Sequence, residues 1–220
     1  MRRYLQELEP NTFEDIIVMV SLYRPGPLQY IPTYIRRKHG KEKVKFPHSS
    51  LEQILKLTQG IAVYQEQIMQ IVQAFAGFSL GEADILRRAM GKKIKELMDE
   101  QKGKFIEAAV KQGHSEKLAT YIFTDIIEPF AGYGFNKSHA ACYSMIAYQT
   151  AYLKAYYPTE FLTALMVSDE DDTDRIVLEI NEARSKNIQV LVPDVNESRK
   201  HFTYINKDNI RFGLKAVKGV

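Results

Sequence analysis

Ala131-Gly132-Tyr133-Gly134-Phe135-Asn136-Lys137-Ser138-His139-Ala140-Ala141 is the stretch on which this sequence turns. Two glycines lead into a lysine, a serine and a histidine, and a long apolar run follows at once. Gly132 and Gly134 permit positive φ and a close approach of the backbone to a ligand. Ser138 is placed to cap a helix whose first-turn N–H groups then point outward and favour an anion. Lys137 adds a full charge and His139 a polar ring, so the loop reads as a phosphate site. A plain glycine-rich helix–helix turn, with Ser138 only as its cap, is the alternative. The motif is not a P-loop. Asn136 stands where that motif has glycine, and residues 121–130 read as a helix rather than a buried strand.

A second basic constellation lies about forty residues earlier, at Ser79-Leu80-Gly81-Glu82-Ala83-Asp84-Ile85-Leu86-Arg87-Arg88-Ala89-Met90-Gly91-Lys92-Lys93. Ser79 with Glu82 makes a capping box that opens a helix, and Gly91 is placed to end it in the left-handed conformation. Arg87, Arg88, Lys92 and Lys93 gather at that end. The helix dipole alone favours cations there, but arginine also offers a planar fork for bidentate phosphate contact.

Leu86-Arg87-Arg88-Ala89-Met90-Gly91-Lys92-Lys93 and the glycine segment from Phe130 together resemble signatures of the C-family DNA polymerases, the bacterial replicative DNA polymerase III alpha subunits. Tyr23-Arg24-Pro25-Gly26-Pro27-Leu28, Gly60-Ile61-Ala62-Val63-Tyr64-Gln65-Glu66-Gln67-Ile68-Met69-Gln70-Ile71 and Tyr148-Gln149-Thr150-Ala151-Tyr152-Leu153-Lys154 match in the family's order. So do Pro193-Asp194-Val195-Asn196 and Gly213-Leu214-Lys215-Ala216-Val217-Lys218-Gly219-Val220. The resemblance implies a segment of the fingers domain. It implies incoming deoxynucleoside triphosphate and primer–template DNA as partners, along with the remainder of the polymerase subunit and other replisome proteins. Mg2+ in the intact enzyme would be held by palm carboxylates outside this segment, which by itself is expected to be inactive and to bind no cofactor. By resemblance, Arg87, Arg88, Lys92, Lys93 and Lys137 would contact the triphosphate. Tyr133 and His139 would pack on its sugar or base, unless they are simply helix-packing aromatics.

Net charge is only +3, from 30 basic and 27 acidic residues, so its distribution carries more than its sum. Arg36-Arg37-Lys38-His39-Gly40-Lys41-Glu42-Lys43-Val44-Lys45 is basic, and Arg36, Arg37, Lys38, Lys41 and Lys43 are candidates for the DNA backbone; a solvated loop is the alternative. Asp169-Glu170-Asp171-Asp172-Thr173-Asp174 is acidic and reads as a solvated inter-helix stretch rather than a metal site. No apolar run reaches transmembrane length, no membrane partner is expected, and a cytoplasmic location fits the single Cys142, placed as buried filler. A non-catalytic helical nucleic-acid-binding module is the competing functional reading, and a structural scaffold a third.

The pattern predicts a mainly α chain: a multi-helix fingers body over residues 1–168, then a helix and a small β or α/β appendage over 169–220. Asn11 with Glu14 would cap the helix that runs to Ser21, and Ser49 with Glu52 the one before Gly60. Tyr34 to Pro47 reads as irregular. Ile188–Val192 reads as a strand, and His201–Ile205 with Ile210–Leu214 as a hairpin.

Overall fold

Thr12 shows how local chemistry sets the helix starts. Its hydroxyl accepts from the Asp15 N–H, while the Asp15 carboxylate accepts the Thr12 N–H at 3.0 Å and its hydroxyl at 2.8 Å. This reciprocal box, one residue after the expected Asn11–Glu14 pair, opens the second helix. The computed structural model describes residues 1–92, 95–130 and 132–217. In chain order the helices are α1 (Arg2–Leu8), α2 (Phe13–Leu22), α3 (Ile31–Lys38), α4 (Glu52–Leu55), α5 (Gln65–Ala76), α6 (Leu80–Lys92) and α7 (Lys95–Lys111). They continue as α8 (Glu116–Ile122), α9 (Glu128–Phe130), α10 (Lys137–Tyr156), α11 (Pro158–Ser168) and α12 (Thr173–Ser185). A π-helical stretch, Phe123–Ile127, joins α8 to α9. The chain is therefore mainly α, with a three-stranded sheet near its C-terminus.

Several expected boundaries shift for identifiable reasons. Helix α3 carries the chain through Arg36–Lys38, so only the residues after it are irregular; three cations in its last turn suit the negative end of the dipole. His48 rather than Ser49 caps the next segment, its ring nitrogen accepting from the Ser50 N–H, and that segment opens as a 3-10 turn at Ser49–Leu51. Gly91 lies inside α6 and is not among the positive-φ residues, so the left-handed ending expected there is absent from the described residues.

Two compact units divide the chain, residues 1–144 and 145–220. The first unit has two buried clusters. One gathers Leu86, Ala89 and Met90 of α6 with Ile71, Phe105 and Phe130. The other gathers Val18, Leu22, Ile31 and Tyr34 with Tyr64 and Ala140. Gln67, buried in α5, uses its whole amide. Its oxygen accepts from the Val63 and Tyr64 N–H groups at 2.8 and 3.0 Å, and its nitrogen donates to the Ile54 carbonyl and the Thr58 hydroxyl. A fully satisfied buried amide fixes one arrangement of this turn.

In the second unit α11 and α12 pack on strands β1 (Gln189–Leu191), β2 (Thr203–Asn206) and β3 (Asn209–Arg211). The order is β1-β3-β2, with β1 parallel and β2 antiparallel to β3, and Ile210 buried at its centre. The hairpin is the one expected. The acidic stretch before α12 is not simply solvated: Glu170 is buried, with Lys215 Nζ and His201 Nδ1 each 2.8 Å from Oε1, and Asp172 caps α12 by accepting the Arg175 N–H.

Candidate functional site

The glycine loop is held by partners the loop sequence does not name. Phe135 forms a parallel bridge with Tyr64: its N–H donates to the Val63 carbonyl, and its carbonyl accepts the Gln65 N–H at 2.9 Å. Arg24 donates to the Tyr133 carbonyl at 2.7 Å and to the Ser21 carbonyl at 2.9 Å, while its guanidinium lies 4.0 Å over the Phe135 ring. Burial pulls the Arg24 guanidinium below its ordinary pKa.

Two expectations about this loop change. Gly134 does not have positive φ. Gly134 is required instead because a Cβ there would lie 2.0 Å from Cε1 of Phe130, a core residue. Nor does Ser138 cap α10. Asn136 does, its Oδ1 accepting the His139 N–H at 2.8 Å, which puts the cap two residues earlier.

The positive end of α10 already faces an anion. Both carboxylate oxygens of Glu66 lie 3.1 Å from the Lys137 N–H, and one also accepts from Asn136 Nδ2 at 3.1 Å. Lys137 Nζ is 2.9 Å from Glu14 and 5.1 Å from the centre of the Tyr64 ring. Burial, then the nearby Glu14, push the Tyr64 phenol far above its usual pKa. His139 is exposed, edge-on to Phe135 and next to Tyr143. Tyr133 is half-buried between the rings of Tyr30 and Phe130, each at 5.3 Å, and burial with Tyr30 raises its phenol pKa. Cys142 is exposed, not buried filler, because it lies on the outer side of α10.

Helix α6 holds its cations differently. The Ser79–Glu82 box is formed as expected. One carboxylate, Asp84, serves both arginines: Arg87 and Arg88 each place Nη2 2.7 Å from it, one on each oxygen. The hydrogen bond from Arg87, followed by that from Arg88, outweighs partial burial and lowers the Asp84 pKa. Arg88 is 69% exposed and Lys92 is exposed as well. Lys93 lies outside the described residues.

The basic run splits into two groups. Glu42 takes Arg36 and Arg37, each at 2.9 Å, and Arg37 also donates to the Gln59 carbonyl. Lys38, only 12% exposed, turns inward to Asp15 and Asn11. Burial alone would raise Asp15; hydrogen bonds from Lys38, Thr12 and Tyr34 outweigh it and hold the carboxyl below its usual range. Lys41 and Lys43 are exposed. Among the described residues no three His, Cys, Asp or Glu side chains form a group able to hold a metal ion, and no helix is long and apolar enough to cross a membrane.

The fold and these contacts define a helical segment with surface cations gathered on one helix and a glycine loop pinned at the start of another. Residues 1–113 match the family described as bacterial DNA polymerase III alpha subunit finger domain, and the chain belongs to that family. Residues 187–220 match a helix-hairpin-helix motif, although the described part of that stretch holds strands and a short 3-10 turn. Relatives named DNA polymerase III subunit alpha are 50% identical in Xylella fastidiosa, 52% in Thermus aquaticus and 53% in Chlamydia trachomatis. Each alignment covers all of this chain but 18% of the relative, so the chain spans under a fifth of the curated relatives it matches.

Sequence reading missed Glu66, Glu14, Arg24 and Asp84 as parts of this arrangement. Glu66 and Arg24 stood inside quoted motifs, but nothing local marked them as partners of the loop.

Proposed function

We propose that this chain is the fingers portion of a template-directed replicative DNA polymerase, gripping the triphosphate of an incoming deoxynucleotide and contacting primer–template DNA. The observation that carries this reading is the shared backing of the two basic stretches. Leu86, Ala89 and Met90 beneath the α6 arginines belong to the same buried cluster as Phe130, and Tyr133 of the glycine loop packs against it. Arg87 and Arg88 supply the phosphate grip. An exposed ion pair is worth little, so exchanging Asp84 for a phosphate costs little, whereas a charged phosphate hydrogen bond contributes about 1.5–3 kcal/mol. Lys92 extends the positive surface, and Lys93, next to it in sequence, is a further candidate for the triphosphate. Tyr133, Lys137 and His139 line the other side of the nucleotide, His139 being the most accessible of the three.

Arg36, Lys41 and Lys43 track the DNA backbone without reading sequence, with Arg37 and Lys38 as internal supports. The acids described above are engaged as caps and ion pairs; in this reading Mg2+ is held by palm carboxylates outside the segment, and the isolated segment is expected to be inactive.

Single-nucleotide incorporation by the full-length subunit carrying this segment tests the reading. R88A is expected to raise the nucleotide KM by about one to two decades. An unchanged KM would overturn the triphosphate role. For DNA, neutralising Lys41 and Lys43 is expected to flatten the dependence of log K on log salt by about 0.9 per lost phosphate contact.

A further inference from the structure

Glu66 is the second residue of α5, yet its carboxylate lies at the first turn of α10. Two helix N-termini thus meet around one acid: the Gln65 N–H of α5 donates to the Phe135 carbonyl, and the Lys137 N–H of α10 donates to Glu66. Each helix start carries roughly half a positive charge, and these ends would repel one another without a counter-ion. Lys137 and Arg24 add two full charges to the same neighbourhood, against Glu14 and Glu66. The loop between the helices is tied on one side by Arg24 through the Tyr133 carbonyl. On the other it is tied by Glu66 through Asn136 and Lys137. Asn136 in turn caps the helix at His139, so the path from Glu66 to His139 is an unbroken chain of hydrogen bonds. Helix α5 also packs along α6, which carries Arg87 and Arg88.

We propose that Glu66 is a positioning residue for nucleotide use. It sets the register of residues 133–139, so that His139 and Tyr133 face the substrate at a fixed distance from the α6 arginines, and it does so without touching the substrate. In the same act it fills, with an internal carboxylate, the place that the loop sequence marks for a phosphate, which leaves the triphosphate to α6. This inference rests on the proposed function.

Incorporation kinetics on the full-length subunit carrying E66A, E66Q and R88A test it, together with amide hydrogen exchange at Lys137 and His139. E66A is expected to raise the nucleotide KM by about tenfold through lost orientation, with kcat nearly unchanged and faster exchange at both amides. E66Q keeps an acceptor without the charge and is expected to fall about midway, since a charged hydrogen bond is roughly twice as strong as a neutral one. An unchanged KM in E66A overturns the proposal. So does a fall in kcat with unchanged KM and a lower Tm, which would assign Glu66 to stability alone. If E66A does not fold, E66Q decides by the same criteria. Should R88A also leave KM unchanged, the nucleotide reading itself fails, and the exchange data still report whether Glu66 holds the loop.

Discussion

The two basic stretches of this chain look alike in sequence and differ in how their charge is balanced. At the glycine loop the acids are supplied from other elements: Glu14 meets Lys137 and Glu66 meets the start of α10. On α6 one local acid, Asp84, is divided between two arginines, with Lys92 exposed beyond them. The loop is electrostatically closed and the α6 end is left positive. Glycine, lysine and a helix start therefore do not suffice to make an open anion site; what matters is whether the fold delivers an acid to it.

The largest effect should come from testing that contrast directly. The R87A/R88A double variant of the full-length subunit is expected to raise the nucleotide KM by at least about a hundredfold, from two charged hydrogen bonds at 1.5–3 kcal/mol each. K137A is expected to change it only a few-fold, because Lys137 is already committed to Glu14. If K137A proved as damaging as the double variant, the comparison would be inverted.

Glycines sharpen it next. G134A would drive a methyl group into the Phe130 ring and is expected to cost about 1–3 kcal/mol of stability, the usual range for overpacking. G91A meets nothing within 4 Å inside α6 and is expected to stabilise by about 0.5–1 kcal/mol. Thermal melts of the two variants should move in opposite directions; equal shifts would break the distinction.

The smallest effect asks whether the pairing of buried acids with cations extends to the second unit, where Glu179 is the exception. It is buried with Oε2 lacking a hydrogen-bond partner, and burial followed by the neighbouring Asp169 pushes its carboxyl up to about 7. A carboxyl whose folded pKa exceeds its ordinary 4.5 stabilises the fold most at acid pH. That contribution falls as pH rises from 4.5 to about 7. E179Q, a permanent mimic of the protonated form, is expected to remove that slope in the amide exchange of residues 189–211. Identical slopes in both proteins would rule this out.

What was legible in the sequence was what depends on neighbours a few residues apart. The Ser79–Glu82 box, the helix-rich body and the hairpin of β2 and β3 rest on spacings of that kind, and they form. Errors of one or two residues arose where two good capping residues stand close together, as with Asn11 and Thr12 or Asn136 and Ser138. The balance of the glycine loop was not legible because its acids come from distant elements. Gly134 was read as a backbone requirement when its real cause is the ring of Phe130, and ring orientation is set by packing. Glu179 gave no sign, since a glutamate within a polar helix looks the same whether its carboxyl faces water or another acid.

The contact between Glu66 and Lys137 spans 71 positions, and that span has a kinetic meaning. Pairing distant segments requires closing a long loop before any contact repays it, so such pairings form slowly. Helices α5, α6 and α7, adjacent in sequence and packed on one another, can assemble early. The seam at the start of α10 is then among the last parts of the first unit to close as the chain folds.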